Sequence, residues 1–177
     1  EDHVVKKIGT PTMGGVIILL GLLISVLFWA DLSNLNILFC IYIAVTFGLL
    51  GAFDDFKKIK FSNSSGISSK LKIILQILLA VVGVSLFVYF VDYQDMSNLY
   101  FPFFKNLVIN LGWFFIPFSV FVIIGSSNAV NLTDGLDGLV AGSSSISFAG
   151  ILVISFWIYR HPEYYSNFIS DSFLTVD

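Results

Sequence analysis

Five long apolar runs constrain this chain more than any other feature, because each approaches the ~20 residues that a helix needs to cross a bilayer core. They fall at approximately Met13–Ala30, Leu35–Phe53, Leu71–Val91, Leu107–Ile124 and Leu139–Tyr159. The runs are apolar on every side rather than along one stripe, so amphipathic soluble helices do not account for them. They lack the strict alternation of membrane-barrel strands. Only 12% of the 177 residues are charged, against roughly 25% in soluble domains, so most of the surface does not meet water. The pattern predicts an all-α membrane protein, a polytopic helical bundle with about five transmembrane helices in a single domain spanning the chain. The first run is short, and Pro117 in the fourth is tolerable as a kink where neighbours satisfy the freed carbonyl.

Orientation follows from the basic residues. Lys6 and Lys7 precede the first run, and Lys57, Lys58, Lys60, Lys70 and Lys72 lie between the second and third. The other side carries Lys105 in the connection Asp92–Asn106 and Arg160 after the fifth run, and none in Asp31–Asn34. The positive-inside rule therefore places the N-terminal side in the cytoplasm. Lys6–Thr12, Asp54–Lys72 and Ser126–Gly138 then share one membrane face, and Asp92–Asn106 reads as an interfacial loop on the outer side. No basic stripe of the kind that nucleic-acid binders carry is present. The single Cys40 lies in an apolar run. It excludes a disulfide framework or a cysteine-based metal site within the chain, and reads as a buried thiol.

Four polar segments on that face carry the chemistry. In the first, Asp54 and Asp55 end an apolar helix, followed by Lys57 and Lys58. An acidic residue within a span costs ~3 kcal/mol on insertion scales and marks a site or a water-filled cavity, the bland alternative being a solvated interface. Adjacent carboxylates point to different sides of a helix, so one can hold Mg²⁺ while the other meets a substrate. Mg²⁺ favours one or two carboxylates completed by phosphate oxygens.

The second segment runs from Ser126 to Gly138 and is mostly polar or glycine. Asn128, Asn131, Asp134 and Asp137 recur every three residues, which on a helix makes one polar stripe suited to a cavity inside the bundle. In the third, Gly66–Gln76, Ser68 or Ser69 can cap the next helix, whose N-terminal amides favour anions. Lys70 and Lys72 add charge for a phosphate there, whereas Lys57 and Lys60 read as topology determinants. The fourth, His3–Gly15, offers Lys7, Thr12 and backbone amides at the start of a membrane helix.

Taken in order, Gly9-Thr-Pro-Thr-Met-Gly-Gly15, Asp54-Asp55 with Lys58, Gly66-Ile-Ser-Ser-Lys-Leu-Lys72 with Gln76, and Asn128-Ala-Val-Asn-Leu-Thr-Asp-Gly-Leu-Asp-Gly-Leu139 resemble the phospho-N-acetylmuramoyl-pentapeptide transferases. These belong to the polyprenyl-phosphate N-acetylhexosamine-1-phosphate transferases. The resemblance implies a Mg²⁺-dependent transfer of phospho-MurNAc-pentapeptide from UDP-MurNAc-pentapeptide to undecaprenyl phosphate, giving lipid I and UMP. It makes Asp54, Asp55 and Asp134 catalytic, with Asp54 and Asp55 linked to the metal. Lys7, Lys58 and Lys72 neutralise phosphates, Lys70 stands in for Lys72, and Thr12, Asn128, Asn131 and Asp137 line the substrate cavity. It further implies a bacterial inner-membrane protein, embedded in the lipid bilayer, with its active-site face cytoplasmic and room for a homodimer.

The chain departs from that family in one respect. The family has more spans than are present here, a later Gly-Asp motif that supplies a metal-binding aspartate, and a later His-rich loop. The only histidines are His3 and His161. The expectation is a fragment lacking early spans and the C-terminal half, inactive on its own. Three other readings compete. A GlcNAc-1-phosphate transferase of the same superfamily is opposed by Thr10-Pro11-Thr12-Met13. A transporter predicts acidic residues at mid-span rather than at helix ends. A purely structural subunit predicts that Asp54→Asn and Asp134→Asn leave function intact.

Overall fold

Leu, Ile, Val and Phe occupy all sides of the long helices, and the outer surfaces keep them. In the computed structural model, Ile18, Trp29, Phe53, Tyr89, Phe121 and Leu152 are all more than half exposed. Such surfaces belong against lipid or further helices.

The structure describes residues 14–61, 66–91, 97–101, 104–133 and 138–163. In chain order these form α1 (Gly14–Trp29), α2 (Leu35–Phe61), α3 (Ser69–Phe90), a hairpin of β1 (Asn98–Phe101) and β2 (Phe104–Asn110), a 3-10 turn (Gly112–Phe114), α4 (Phe115–Thr133) and α5 (Leu139–Arg160). Among the described residues, four helices are long and apolar enough to cross a membrane, namely α2, α3, α4 with its 3-10 turn, and α5. The fifth, α1, is shorter at 16 residues. This is a multi-pass, mainly helical membrane protein. The chain divides into two compact units, Glu1–Ile124 and Gly125–Asp177.

In the first unit α1 packs on α2, and α2 on α3. The buried stripe of α3 is Gln76, Ala80, Gly83 and Val84, a spacing of three and four that keeps one helix face toward its neighbour. Three of the four are small or lack a long side chain, which lets the helices approach closely. A Cβ at Gly83 would stand 2.5 Å from the Tyr42 ring. The missing side chain is therefore what admits that ring, whose hydroxyl donates to the Leu79 carbonyl at 3.1 Å. The Phe39 and Phe87 rings pack tilted against each other with centroids 4.7 Å apart. Ala80, Val84 and Val120 form the centre of the core, with Phe47, Val88 and Phe115 packed against it.

The turn between α1 and α2 closes on its own polar groups. Asp31 Oδ1 accepts from the Ser33 hydroxyl at 2.6 Å and from its N–H at 3.0 Å. These two bonds, the hydroxyl first, hold the Asp31 carboxyl below the usual carboxylate range.

Several sequence expectations are corrected. The second apolar run does not stop at Phe53, because α2 continues to Phe61. Its 27 residues span about 40 Å at the α-helical rise, more than the ~30 Å hydrocarbon core, so its last turns are free to carry charge. The fourth run does not begin as a helix at Leu107. Leu107–Asn110 belong to β2, paired antiparallel with β1 in the register Asn98↔Asn110, Leu99↔Ile109 and Tyr100↔Val108. A short apolar run reads equally as strand or helix until its partner is known. Here the preceding segment supplies that partner, and Asn110 fixes the end by donating from Nδ2 to Ser97 Oγ and Asn98 Oδ1. Part of the presumed outer loop is therefore a hairpin. Cys40 is exposed rather than buried, as a small apolar thiol on the outer surface of a membrane helix can be. Ser68 occupies the position before α3, but its side chain makes no capping bond.

Candidate active site

The extension of α2 beyond Phe53 puts Asp54, Asp55 and Lys58 on consecutive helical turns. Lys58 then lies three and four residues after the two acids, within reach of both. Its Nζ is 2.7 Å from Asp54 Oδ2 and 3.3 Å from Asp55 Oδ1. The adjacent carboxylates do not fully diverge, since both reach Lys58, but their surroundings differ. Asp54 is buried at 6% exposure, while the Asp55 side chain is about half exposed at 49%.

Asp54 faces the start of α3. Its Oδ1 accepts the backbone N–H of Ile67 at 2.7 Å, and Lys72 Nζ comes to 3.9 Å from its Oδ2. A buried carboxylate is tolerated where hydrogen bonds and opposite charge replace its water. One N–H and two ammonium groups do this for Asp54. Because Lys58 and Lys72 approach from different helices, the carboxylate also ties the two helix ends together. Ile67, next to the acceptor, is itself buried.

The third polar segment is thereby sorted. Lys72 joins the cluster, whereas Lys70, two residues earlier on the helix, is exposed. Lys60, expected only to set topology, lies over the Phe56 ring at 5.9 Å. Gln76, in the same segment, is buried at the α2-facing stripe. Sequence reasoning missed the backbone partner of Asp54 and the glycine before it. The signal was present in Gly66, whose φ of 51° is a conformation that glycine adopts without penalty.

In the second unit, α4 continues past the expected end of the fourth run at Ile124 to Thr133, so Asn128 and Asn131 do lie on a helix. Asn128 is half-buried and Asn131 exposed. Asp134 and Asp137, like Lys7 and Thr12, lie outside the described residues. A separate cavity of about 280 Å³ in the first unit is lined by apolar groups such as Val84, Leu99 and Phe118, and by none of these candidates.

Chemically, the Asp54 cluster is two carboxylates and two ammonium groups at the ends of membrane helices. Among the described residues no group of three or more His, Cys, Asp or Glu side chains could hold a metal by itself. Such a cluster can offer the remaining protons of its two ammonium groups to a phosphate, whose oxygens suit lysine point charges.

Comparison with known proteins defines the setting. Residues 34–174, most of the chain and all of this cluster, match the family model described as glycosyl transferase family 4. The chain belongs to glycosyl transferase family 4. Within this family 4 chain, residues 7–19 also match the phospho-N-acetylmuramoyl-pentapeptide-transferase signature 1. A phospho-N-acetylmuramoyl-pentapeptide-transferase of Pelagibacter ubique is 67% identical over 138 residues, which is 78% of this chain and 38% of the relative. Proteins of the same name are 49% identical in Desulfotalea psychrophila, over 88% of this chain and 43% of theirs, and 42% identical in Caulobacter vibrioides, over 92% and 46%. The family 4 chain thus spans about two fifths of the length of these curated relatives.

Proposed function

We propose that this chain carries the acidic and basic half-site of a membrane phosphosugar transferase. The reaction is transfer of phospho-MurNAc-pentapeptide from UDP-MurNAc-pentapeptide to undecaprenyl phosphate, yielding lipid I and UMP for peptidoglycan synthesis. The observation that carries the reading is the buried Asp54 carboxylate holding Lys58 and Lys72 at the polar ends of two membrane helices. The names of its relatives supply the substrate class.

Phosphoryl transfer needs positioning and charge neutralisation more than covalent chemistry from the protein. In this reading Lys58 and Lys72 stay on Asp54 and offer their remaining ammonium protons to phosphate oxygens when substrate arrives, with Lys7 as a further phosphate contact and Lys70 as a stand-in for Lys72. Asp55, the more accessible acid, takes a proton from the lipid phosphate or meets a metal, and Asp134 completes the catalytic set. Thr12, Asn128, Asn131 and Asp137 line the sugar and nucleotide path. The chain sits in a bacterial inner membrane with this face toward the cytoplasm, where the UDP-linked substrate is.

Mg²⁺ belongs to the same reading, and the donor set fits it in a limited way. Asp54 has one oxygen on an N–H and the other on two lysines, so it accepts a cation only by releasing them. Asp55 holds Lys58 through Oδ1 and is half exposed, so it is the carboxylate with room for one. One carboxylate completed by phosphate oxygens is an arrangement that Mg²⁺ favours. When bound, the ion would neutralise and orient the phosphate oxygens.

The test is UMP release by a full-length transferase carrying this sequence, assayed with undecaprenyl phosphate and each UDP-sugar. Turnover with UDP-MurNAc-pentapeptide is expected. Turnover with UDP-GlcNAc alone would replace the reading by the related GlcNAc-1-phosphate transfer.

A further inference from the structure

The loop backbone that enters α3 lies directly on the acidic pair. Gly66 has φ 51°, and a Cβ built there would overlap Asp54 Oδ1 and come within 2.8 Å of Lys58 Cε and 3.1 Å of its Cγ. The next residue, Ile67, gives its N–H to that same Oδ1 and buries its side chain. Lys72, one helical turn further on, reaches the other oxygen. The absence of a side chain at one position therefore has two consequences. It permits the left-handed turn, and it lets the loop seat on the carboxylate between Asp54 and Lys58.

We infer that Gly66 is a positioning residue, which sets Lys58 and Lys72 at the spacing that a phosphate-bearing substrate requires. The inference rests on the transferase reading above for its substrate. Its structural part stands on the Gly66, Ile67 and Asp54 geometry alone. Any side chain at 66 pushes the loop and the Asp54 carboxylate apart, whichever of the two gives way, and three linked changes follow. Asp54 Oδ1 loses the Ile67 N–H, the start of α3 moves, and Lys72 leaves the carboxylate. Strain from φ and overlap from Cβ are separable, because asparagine tolerates the left-handed conformation yet still carries a Cβ.

The experiment uses a full-length transferase carrying this sequence, with Gly66→Ala, Gly66→Asn, Asp54→Asn and the Gly66→Ala/Asp54→Asn double variant. Gly51→Ala is the control, since a Cβ there meets nothing within 4 Å. Both Gly66 variants are expected to raise KM for the UDP-linked substrate by about tenfold, the loss of binding that displaced phosphate ligands produce. Partial unfolding would lower apparent kcat and leave KM alone. On the Asp54→Asn background Gly66→Ala should add less than about threefold, since residues acting through one contact are not additive. An unchanged KM in both Gly66 variants, or full additivity, overturns the inference. If the alanine variant fails to fold, the asparagine variant decides alone.

A second readout is independent of activity. Amine acylation followed by mass spectrometry should show Lys58 and Lys72 becoming more reactive in the Gly66 variants relative to exposed Lys70, and unchanged labelling overturns the proposal. Increased labelling in a protein with no transferase activity would instead leave the positioning role standing and remove the transferase reading.

Discussion

Lys72 Nζ stands 3.9 Å from Asp54 Oδ2, and this contact joins the start of α3 to the end of α2 across one buried carboxylate. Lys70 is the neighbour with which Lys72 is best compared, since it has the same chemistry two positions earlier and is exposed. Lys72→Gln is expected to lower kcat/KM for UMP release by about tenfold or more, a loss of order 1.4 kcal/mol in transition-state stabilisation. Lys70→Gln should change it by less than about twofold, because an exposed charge is screened by water and salt. Equal losses from both would mean that the lysines act as a diffuse basic flank.

Asp54 has two functions that substitutions can separate. Asparagine keeps an oxygen for the Ile67 N–H but drops the charge that holds Lys58 and Lys72. Alanine removes both, leaving a buried N–H unsatisfied at about 1–3 kcal/mol. Asp54→Asn should therefore keep near-native thermal stability in detergent while activity falls by about a hundredfold, on the scale of misplaced catalytic groups. Asp54→Ala should lose stability as well. Unfolding midpoints measured beside UMP release distinguish the two.

Tyr42 and Gly83 make a prediction about the scaffold rather than the chemistry. Gly83→Ala drives a methyl into the Tyr42 ring, and overpacking of this kind costs about 1–3 kcal/mol. Tyr42→Phe removes only the bond to the Leu79 carbonyl, about 0.5–1.5 kcal/mol. Both should lower the unfolding midpoint in that order and leave KM unchanged. A KM shift in either would tie the helix contact to substrate binding.

The helices were legible because a bilayer imposes a length and an apolar requirement that sequence alone can meet or miss. The end of α3 at Phe90 and the whole of α5 follow from that requirement nearly residue by residue. Charge hid the end of α2. Asp54 and Asp55 look like a stop signal when only hydropathy is read, yet the helix continues because Lys58 neutralises both acids from the next turn. The β1–β2 hairpin was illegible for a different reason. Leu107–Ile109 form an apolar run without strong period, and only the backbone of Asn98–Phe101 decides that they are extended. In the site, Asp54 and Lys72 could be named from residue type and position, and Lys58 from the family resemblance. The Ile67 N–H could not, since a backbone donor has no residue signature. Gly66 was visible in the motif, but its role depends on where a Cβ would fall.

Asp55 offers the sharpest test of how the metal enters. Its side chain is half exposed and shares Lys58 with Asp54, so its removal leaves the buried Asp54–Lys58 pair at 2.7 Å intact. If Asp55 is the carboxylate that meets Mg²⁺, Asp55→Asn should raise the Mg²⁺ concentration for half-maximal UMP release by about tenfold, the change expected when a cation loses one of few anionic ligands. Asp54→Asn should lower the maximal rate and leave that concentration within about threefold, because its oxygens are occupied by an N–H and two lysines. The two titrations, run at saturating substrate, separate the roles of adjacent acids that a rate measurement at one metal concentration would merge. A larger metal shift for Asp54→Asn than for Asp55→Asn would reverse the assignment. It would mean that substrate binding draws both lysines off Asp54 and frees the buried carboxylate for the ion.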